Sequence, residues 1–116
     1  MQLKALQYLE DIYMACSDIE SFTENKEYVD FKKDKMFASA IERQLIIIGE
    51  ATNKLSQLYS IHLTSESAIV ALRNRIVHEY QKLDDKQIWQ IINTQLVDLR
   101  IEVEQIIKDN EHNIES

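Results

Sequence analysis

The chain has 116 residues, 45% apolar and 28% charged, the composition of one soluble domain (1–116) with a modest core. Its 20 carboxylates against 13 lysines and arginines leave a net charge of −7, which argues against a broad nucleic-acid-binding surface on a single copy. One cysteine, Cys16, excludes an internal disulfide framework, and no proline with a single glycine, Gly49, excludes strands joined by tight turns.

Apolar spacing is helical almost throughout. Leu6, Leu9, Tyr13, Cys16 and Ile19 recur every three or four residues and predict a first helix over 3–22, ended by the polar run 23–27. The segment 27–33 reads as a short helix or as the first turns of the next one. A long second helix over 33–58 carries Phe37, Ile41, Leu45, Ile48, Thr52 and Leu55 on one stripe. Ile46 and Ile47 widen that stripe beyond what one neighbour needs. Gly49 inside this helix costs about 1 kcal/mol relative to alanine. It is either tolerated or marks close approach of another helix or a partner subunit.

Residues 59–64 read as a loop. Thr64 or Ser65 is placed to cap a third helix running to about Glu79, with Glu66 in its first turn and Ile69, Leu72, Ile76 and Val77 as its buried side. A fourth helix starts after Asp84, which with Gln87 has capping-box spacing. Its stripe is Ile88, Ile92, Leu96, Leu99, Val103 and Ile106, widened by Trp89, Ile91 and Ile107, with fraying expected toward Ser116. The sum is an all-α, antiparallel up-down bundle of four main helices, with room for a short fifth. Surplus apolar positions on the second and fourth helices predict a dimer interface.

The longest apolar run, 45–49, is too short to span a bilayer, and no basic start leads into an apolar stretch. The expected location is therefore a reducing cytoplasm, with no membrane contact. Cys16, on an apolar stripe, reads as a small buried hydrophobe rather than a nucleophile.

Chemistry concentrates in Arg73-Asn74-Arg75-Ile76-Val77-His78-Glu79-Tyr80. On a helix, Asn74 and His78 share a face, so Asn74 can orient the imidazole. Arg75, three before His78, can approach its other flank. Arg73, five before it, lies about 140° around the helix. The two converge if the helix ends near His78, or if a twofold axis brings Arg73 of one subunit to His78 of the other. Histidine exchanges protons near neutral pH, and arginine forks match phosphate oxygens. Together they suit attack by a ribose 2′-hydroxyl on the adjacent phosphodiester. The plain alternative is a helix end that collects arginine and histidine through its dipole. Around this segment Lys82 and Lys86 add cations, so a small local cationic site within an acidic protein is expected. No histidine–carboxylate cluster has metal-ligand spacing, and no glycine-rich loop cradles phosphates, so neither metal nor cofactor is expected.

Two segments together, Ala40-Ile41-Glu42-Arg43 through Ile47-Ile48-Gly49-Glu50-Ala51 and Leu72 through Tyr80, make the chain resemble the HepT family of the HEPN superfamily of helical bundles. The Arg-Asn-x-x-x-His-x-Tyr pattern after an Ile-Gly-Glu-Ala helix carries the resemblance, and Trp89 fits it. The resemblance implies the toxin of a toxin–antitoxin pair, a metal-independent ribonuclease acting on messenger or transfer RNA. It implies Arg73, His78 and Asn74 as catalytic residues, with Arg75, Glu50 and Lys82 in supporting or RNA-binding places. It also implies a homodimer, open to higher assembly, whose motifs face a shared cleft. The implied partner is an MNT-type nucleotidyltransferase antitoxin that transfers AMP to Tyr80; the added bulk and charge would repel RNA phosphate.

The loop Ile61-His62-Leu63-Thr64-Ser65 departs from the family pattern in lacking proline and tryptophan. His62 and His112 read as an exposed loop residue and a tail residue. Glu50 can bond an arginine of the motif or stand as a surface carboxylate. The alternative to an enzyme is a non-catalytic partner or substrate-binding subunit of a nucleotidyltransferase.

Overall fold

A computed structural model describes residues 1–79, 81 and 83–111. Its helices are α1 (Leu3–Thr23), α2 (Tyr28–Lys33), α3 (Lys35–Tyr59), α4 (Glu66–His78), α5 (Asp85–Asn93) and α6 (Gln95–Asp109). The predicted all-α bundle is what is found. The expected fraying toward Ser116 concerns residues 112–116, which lie outside the described residues.

The segment 27–33 is a helix of its own. The Glu27 amide donates to Asp30 Oδ2 at 2.8 Å to start α2. Asp34, with extended backbone, then caps α3 by accepting from the Met36 and Phe37 amides at 3.1 Å each. One aspartate thus separates two helices without proline or glycine. At its far end α3 stops on Ser60, a non-glycine residue in the left-handed region (φ 52°), where the Ile61 amide closes onto the Leu55 carbonyl at 3.0 Å.

Two predicted caps differ. Ser65 holds the N-cap position of α4, but its hydroxyl caps nothing, because ψ of 19° is not the extended backbone that aims a side chain at the first amides. Thr64 instead gives its amide and hydroxyl to Glu102 on α6, at 3.1 and 2.9 Å. Asp84 does cap α5, accepting from the Lys86 and Gln87 amides, but the reciprocal half of the box is absent. The Gln87 side-chain carbonyl accepts from Arg75 instead.

The predicted fourth helix is two. At Thr94 (φ −126°, ψ −80°) the backbone leaves the helix for one residue. The Thr94 hydroxyl donates to the Gln90 carbonyl at 2.7 Å, and the Asn93 amide group donates to the Trp89 carbonyl at 2.8 Å. Short polar side chains thereby take carbonyls that the helical ladder would use, which bends helices. Ile88, Ile92, Leu96, Leu99 and Val103 are all buried across the break, so the apolar period runs through it.

α3 is the central helix. It packs against α1, α4 and α2, while α6 packs on α1 and on α5, and α5 reaches back to α2. Three neighbours within one chain account for the width of its apolar surface: Ile46 and Ile47 are half-buried against the core. Phe31 stacks on Trp89 at 5.5 Å, with Phe37 edge-on to both, tying α2 and α3 to α5. Arg100 of α6 forms an ion pair with Glu20 of α1. Ile12, rather than Tyr13, is the fully buried residue in the middle of α1, and Val77 is 39% exposed rather than buried. Among the described residues no helix is long and apolar enough to cross a membrane.

Thr52, on the buried stripe of α3, is fully enclosed, and its hydroxyl has no hydrogen-bond partner. An unsatisfied buried hydroxyl costs about 1–3 kcal/mol. Thr52→Val keeps the shape and removes that cost, so the variant is expected to melt several degrees higher; a lower melting temperature would count against this account.

Candidate functional site

The site is built where α4 crosses α3. Gly49 is buried against α4, and a methyl group there would overlap Arg73 Cβ and lie 2.7 Å from Arg73 Cγ and 3.4 Å from the Ile69 carbonyl oxygen. Of the two readings of Gly49, close approach of another helix is the one found, and the helix is α4 of the same chain. The approach brings Arg73 down onto α3, one residue from Glu50.

Arg73 is held at two points. Its Nη2 donates to Glu50 Oε1 at 3.1 Å and its Nη1 donates to Asn74 Oδ1 at 3.0 Å. Its Nε is buried without a partner. The side chain is 26% exposed, so the guanidinium edge lies at the mouth of a cleft of about 250 Å³ between α3 and α4. Of the two readings of Glu50, the bond to an arginine of the motif is the one seen. The pair is half in water, where such bonds contribute at most about 1 kcal/mol; it orients the guanidinium more than it stabilises the fold.

Asn74 was expected to orient His78. In the structure its carbonyl accepts instead from the charged Arg73 guanidinium at 3.0 Å. Helical spacing still places Asn74 directly beneath His78, one turn earlier on the same face. By leaning toward Asn74, the Arg73 side chain narrows the angular gap that the backbone alone leaves open. His78 is the last residue of α4 and is exposed.

Arg75 does not flank His78. It turns to the other side of α4 and donates to Gln87 Oε1 of α5 at 3.1 Å, within a separate cleft that Gln90, Thr94 and Gln95 also line. Lys82 and Tyr80, both named from the sequence, lie outside the described residues, as does His112.

Sequence reading missed Asn53, Lys54 and Val70, which complete the cleft with Gly49, Glu50, Arg73 and Asn74. The signal was available: Asn53 and Lys54 are one turn beyond Gly49 and Glu50, and Val70 is one turn before Arg73. Nothing in those residue types marks them until α4 is seen to lie over Gly49.

Other reactive groups are accounted for. Burial pushes the Cys16 thiol up to about 12, with the Glu20 carboxylate adding to the effect, so the thiolate is not populated near neutral pH. Burial, then the Asp85 carboxylate, raises Glu42, which therefore keeps its proton to higher pH than a free glutamate. His62 is exposed but not idle: its Nδ1 lies 3.1 Å from both Ser56 Oγ and Glu66 Oε1, pinning the loop to both flanking helices. Both partners meet the same ring nitrogen, so this trio lacks the relay of a hydrolytic triad. Among the described residues no group of three or more His, Cys, Asp or Glu side chains is gathered as for a metal ion.

The family model described as ribonuclease HepT-like matches residues 12–106. A protein of Methanocaldococcus jannaschii named as a candidate RNase is 32% identical over 108 residues, covering 90% of this chain and 88% of its own. A protein of Thermococcus cleftensis named as a candidate ribonuclease HepT is 32% identical over 105 residues, covering 87% of this chain and 94% of its own. A third, of Caldanaerobacter subterraneus, also named as a candidate RNase, is 28% identical over 103 residues, covering 87% and 92%. No solved structure matches. The matched span runs from the middle of α1 into α6 and includes both Gly49 and the Arg73–His78 turn, so the chain belongs to the ribonuclease HepT-like family.

Proposed function

We propose that the protein is an RNA-cutting toxin whose reaction needs no metal, neutralised by a nucleotidyltransferase antitoxin that adenylylates Tyr80. The observation that carries this reading is the posture of Arg73. Its guanidinium edge is held by Glu50 and Asn74 at the mouth of a cleft, with exposed His78 one turn above Asn74. A phosphodiester at the cleft mouth would meet a fork of N–H donors and a titratable imidazole together.

In the proposed reaction His78 takes the proton of a ribose 2′-hydroxyl as its oxygen bonds to the adjacent phosphorus. Arg73 stabilises the charge growing on the phosphoryl oxygens. The bond from phosphorus to the 5′-oxygen breaks, and that oxygen gains a proton. The products are a 2′,3′-cyclic phosphate and a 5′-hydroxyl, with atoms balanced and no co-reactant. A twofold dimer would set two His78 side chains at one cleft, one accepting and one donating a proton. It would also pool the cations of two acidic chains. Tyr80 is two residues beyond His78 in sequence, so an adenylyl group there would add negative charge near the phosphate.

The test is incubation of purified, unmodified protein with cellular RNA in EDTA, with end-group analysis of the products. Cyclic phosphate ends are expected. Intact RNA would favour the other reading, a non-catalytic partner subunit of a nucleotidyltransferase, for which the engagement of Arg73 by Glu50 is the supporting observation. Mass analysis of the Tyr80 peptide after co-expression with the nucleotidyltransferase should show added AMP.

A further inference from the structure

The cleft beside Arg73 continues across α3. Glu50 and Lys54 line it, and the same two residues line a second cleft of about 280 Å³ between α3 and α1, with Tyr8 and Asp11. One surface therefore runs from α4, over the Glu50–Lys54 ridge of α3, to α1. Arg73 and Lys54 line it, and Lys4 adjoins it, its ammonium over the Tyr8 ring at 5.6 Å from the ring centre. Glu50 is already held by Arg73, which leaves Asp11 as the opposing carboxylate among those lining the two clefts. The residues lining the two clefts carry two cations (Arg73, Lys54) and two carboxylates (Glu50, Asp11), and Lys4 beside Tyr8 adds a third cation, in a chain that overall has 20 carboxylates against 13 lysines and arginines. Tyr8 is half-buried and packed at 6.3 Å against Tyr59, so its ring is presented in a set position.

Cations at intervals beside a pre-set aromatic ring are what an unpaired nucleic acid strand needs. Phosphates meet the cations, and a base stacks on the ring whatever its identity. An acidic peptide would use the cations but would leave the ring without a partner. Beside the first cleft the Asn53 amide side chain adds a donor and an acceptor for base edges, and Asn74, whose carbonyl is held by Arg73, adds its NH2 donor.

We propose that this groove is the path of the RNA strand as it leaves the cut. Arg73 meets the scissile phosphate, Lys54 holds a neighbouring phosphate, and Tyr8 stacks on a base as Lys4 swings from over the ring to that base's phosphate. The proposal rests on the ribonuclease reading and extends it to residues outside the motif.

The test is binding of a single-stranded 2′-O-methyl RNA of roughly 12 nucleotides, a length within the range one such groove covers, by fluorescence anisotropy at stepped salt. Cleavage of the matching unmodified RNA is measured in parallel. Tyr8→Leu is expected to weaken binding about tenfold, while Tyr8→Phe, which keeps the ring, binds as wild type. Lys54→Ala, at an exposed position, should reduce the slope of log affinity against log salt by about 0.7. Lys108→Ala on α6, which lines neither cleft, should change neither. If wild type binds and cuts while Tyr8→Leu and Lys54→Ala match it, the strand path is wrong and the ribonuclease reading stands. If wild type neither binds nor cuts, both fall. If the two variants lose retention of the nucleotidyltransferase with RNA affinity intact, the groove is that protein's docking face and the proposal is overturned.

Discussion

His78→Ala is expected to lower the rate of RNA cleavage by about 10²- to 10⁴-fold, the range that a positioned proton-transfer group contributes. The variant tests chemistry without disturbing the fold, because His78 is exposed at the end of α4 and is not part of the hydrophobic core. Its melting temperature should stay close to wild type, as for surface changes away from structural features. Arg73→Ala is the less clean experiment. It removes a guanidinium aimed at phosphate, but also the stem that packs on Gly49, and it frees Glu50 from its partner. His78→Ala protein that cuts as fast as wild type would show that the imidazole handles no proton in the reaction.

Gly49→Val should destabilise the protein by about 3 kcal/mol, at the upper end of the usual cost of overpacking. The first added carbon already overlaps Arg73 Cβ, which is carried by the backbone of α4 and cannot rotate away. Two further carbons can be fitted only if α4 moves off α3. Lost glycine flexibility returns part of the cost, at most about 1 kcal/mol. For a domain of this size a drop of roughly 10 °C in melting temperature follows. Because the same displacement lifts Arg73 from Glu50, cleavage should fall below what the loss of folded protein explains. A valine variant with wild-type stability would mean that the two helices are not in contact at this point.

Helix breaks were legible to different degrees for definite reasons. The polar run after α1 and the capping aspartate before α5 are local signals, and both mark real boundaries. Asp34 is an equally local cap, but a lysine-rich stretch on both sides masked the separation of α2 from α3. The break at Thr94 had no local breaker. Its cause is a pair of side-chain hydrogen bonds onto carbonyls one turn back, and the apolar period continues through it. Periodicity reports which face is buried, not whether the ladder is continuous.

At the site, residue types and spacing singled out Arg73, Asn74 and His78, but not their pairings. Arg75 reads as a neighbour of His78 in sequence, yet it serves α5. Asn74 shares a face with His78, yet its carbonyl goes to Arg73. Both outcomes follow from competition among partners, and the winning partners are either across a helix junction or brought within reach by one. Lys54 and Tyr8, far from the motif in sequence, reach the same surface because α3 is flanked by α4 and α1.

Sequence alone determined the helical class, the buried stripes and the motif proposed to carry the chemistry, since these depend on residue type and a 3.6-residue period. Tertiary structure alone decided which cations share a surface and which are spent elsewhere. A side chain's partner depends on where its helix crosses the next one. Here that crossing is set by the missing side chain of Gly49, whose effect appears only when a second helix lies against it.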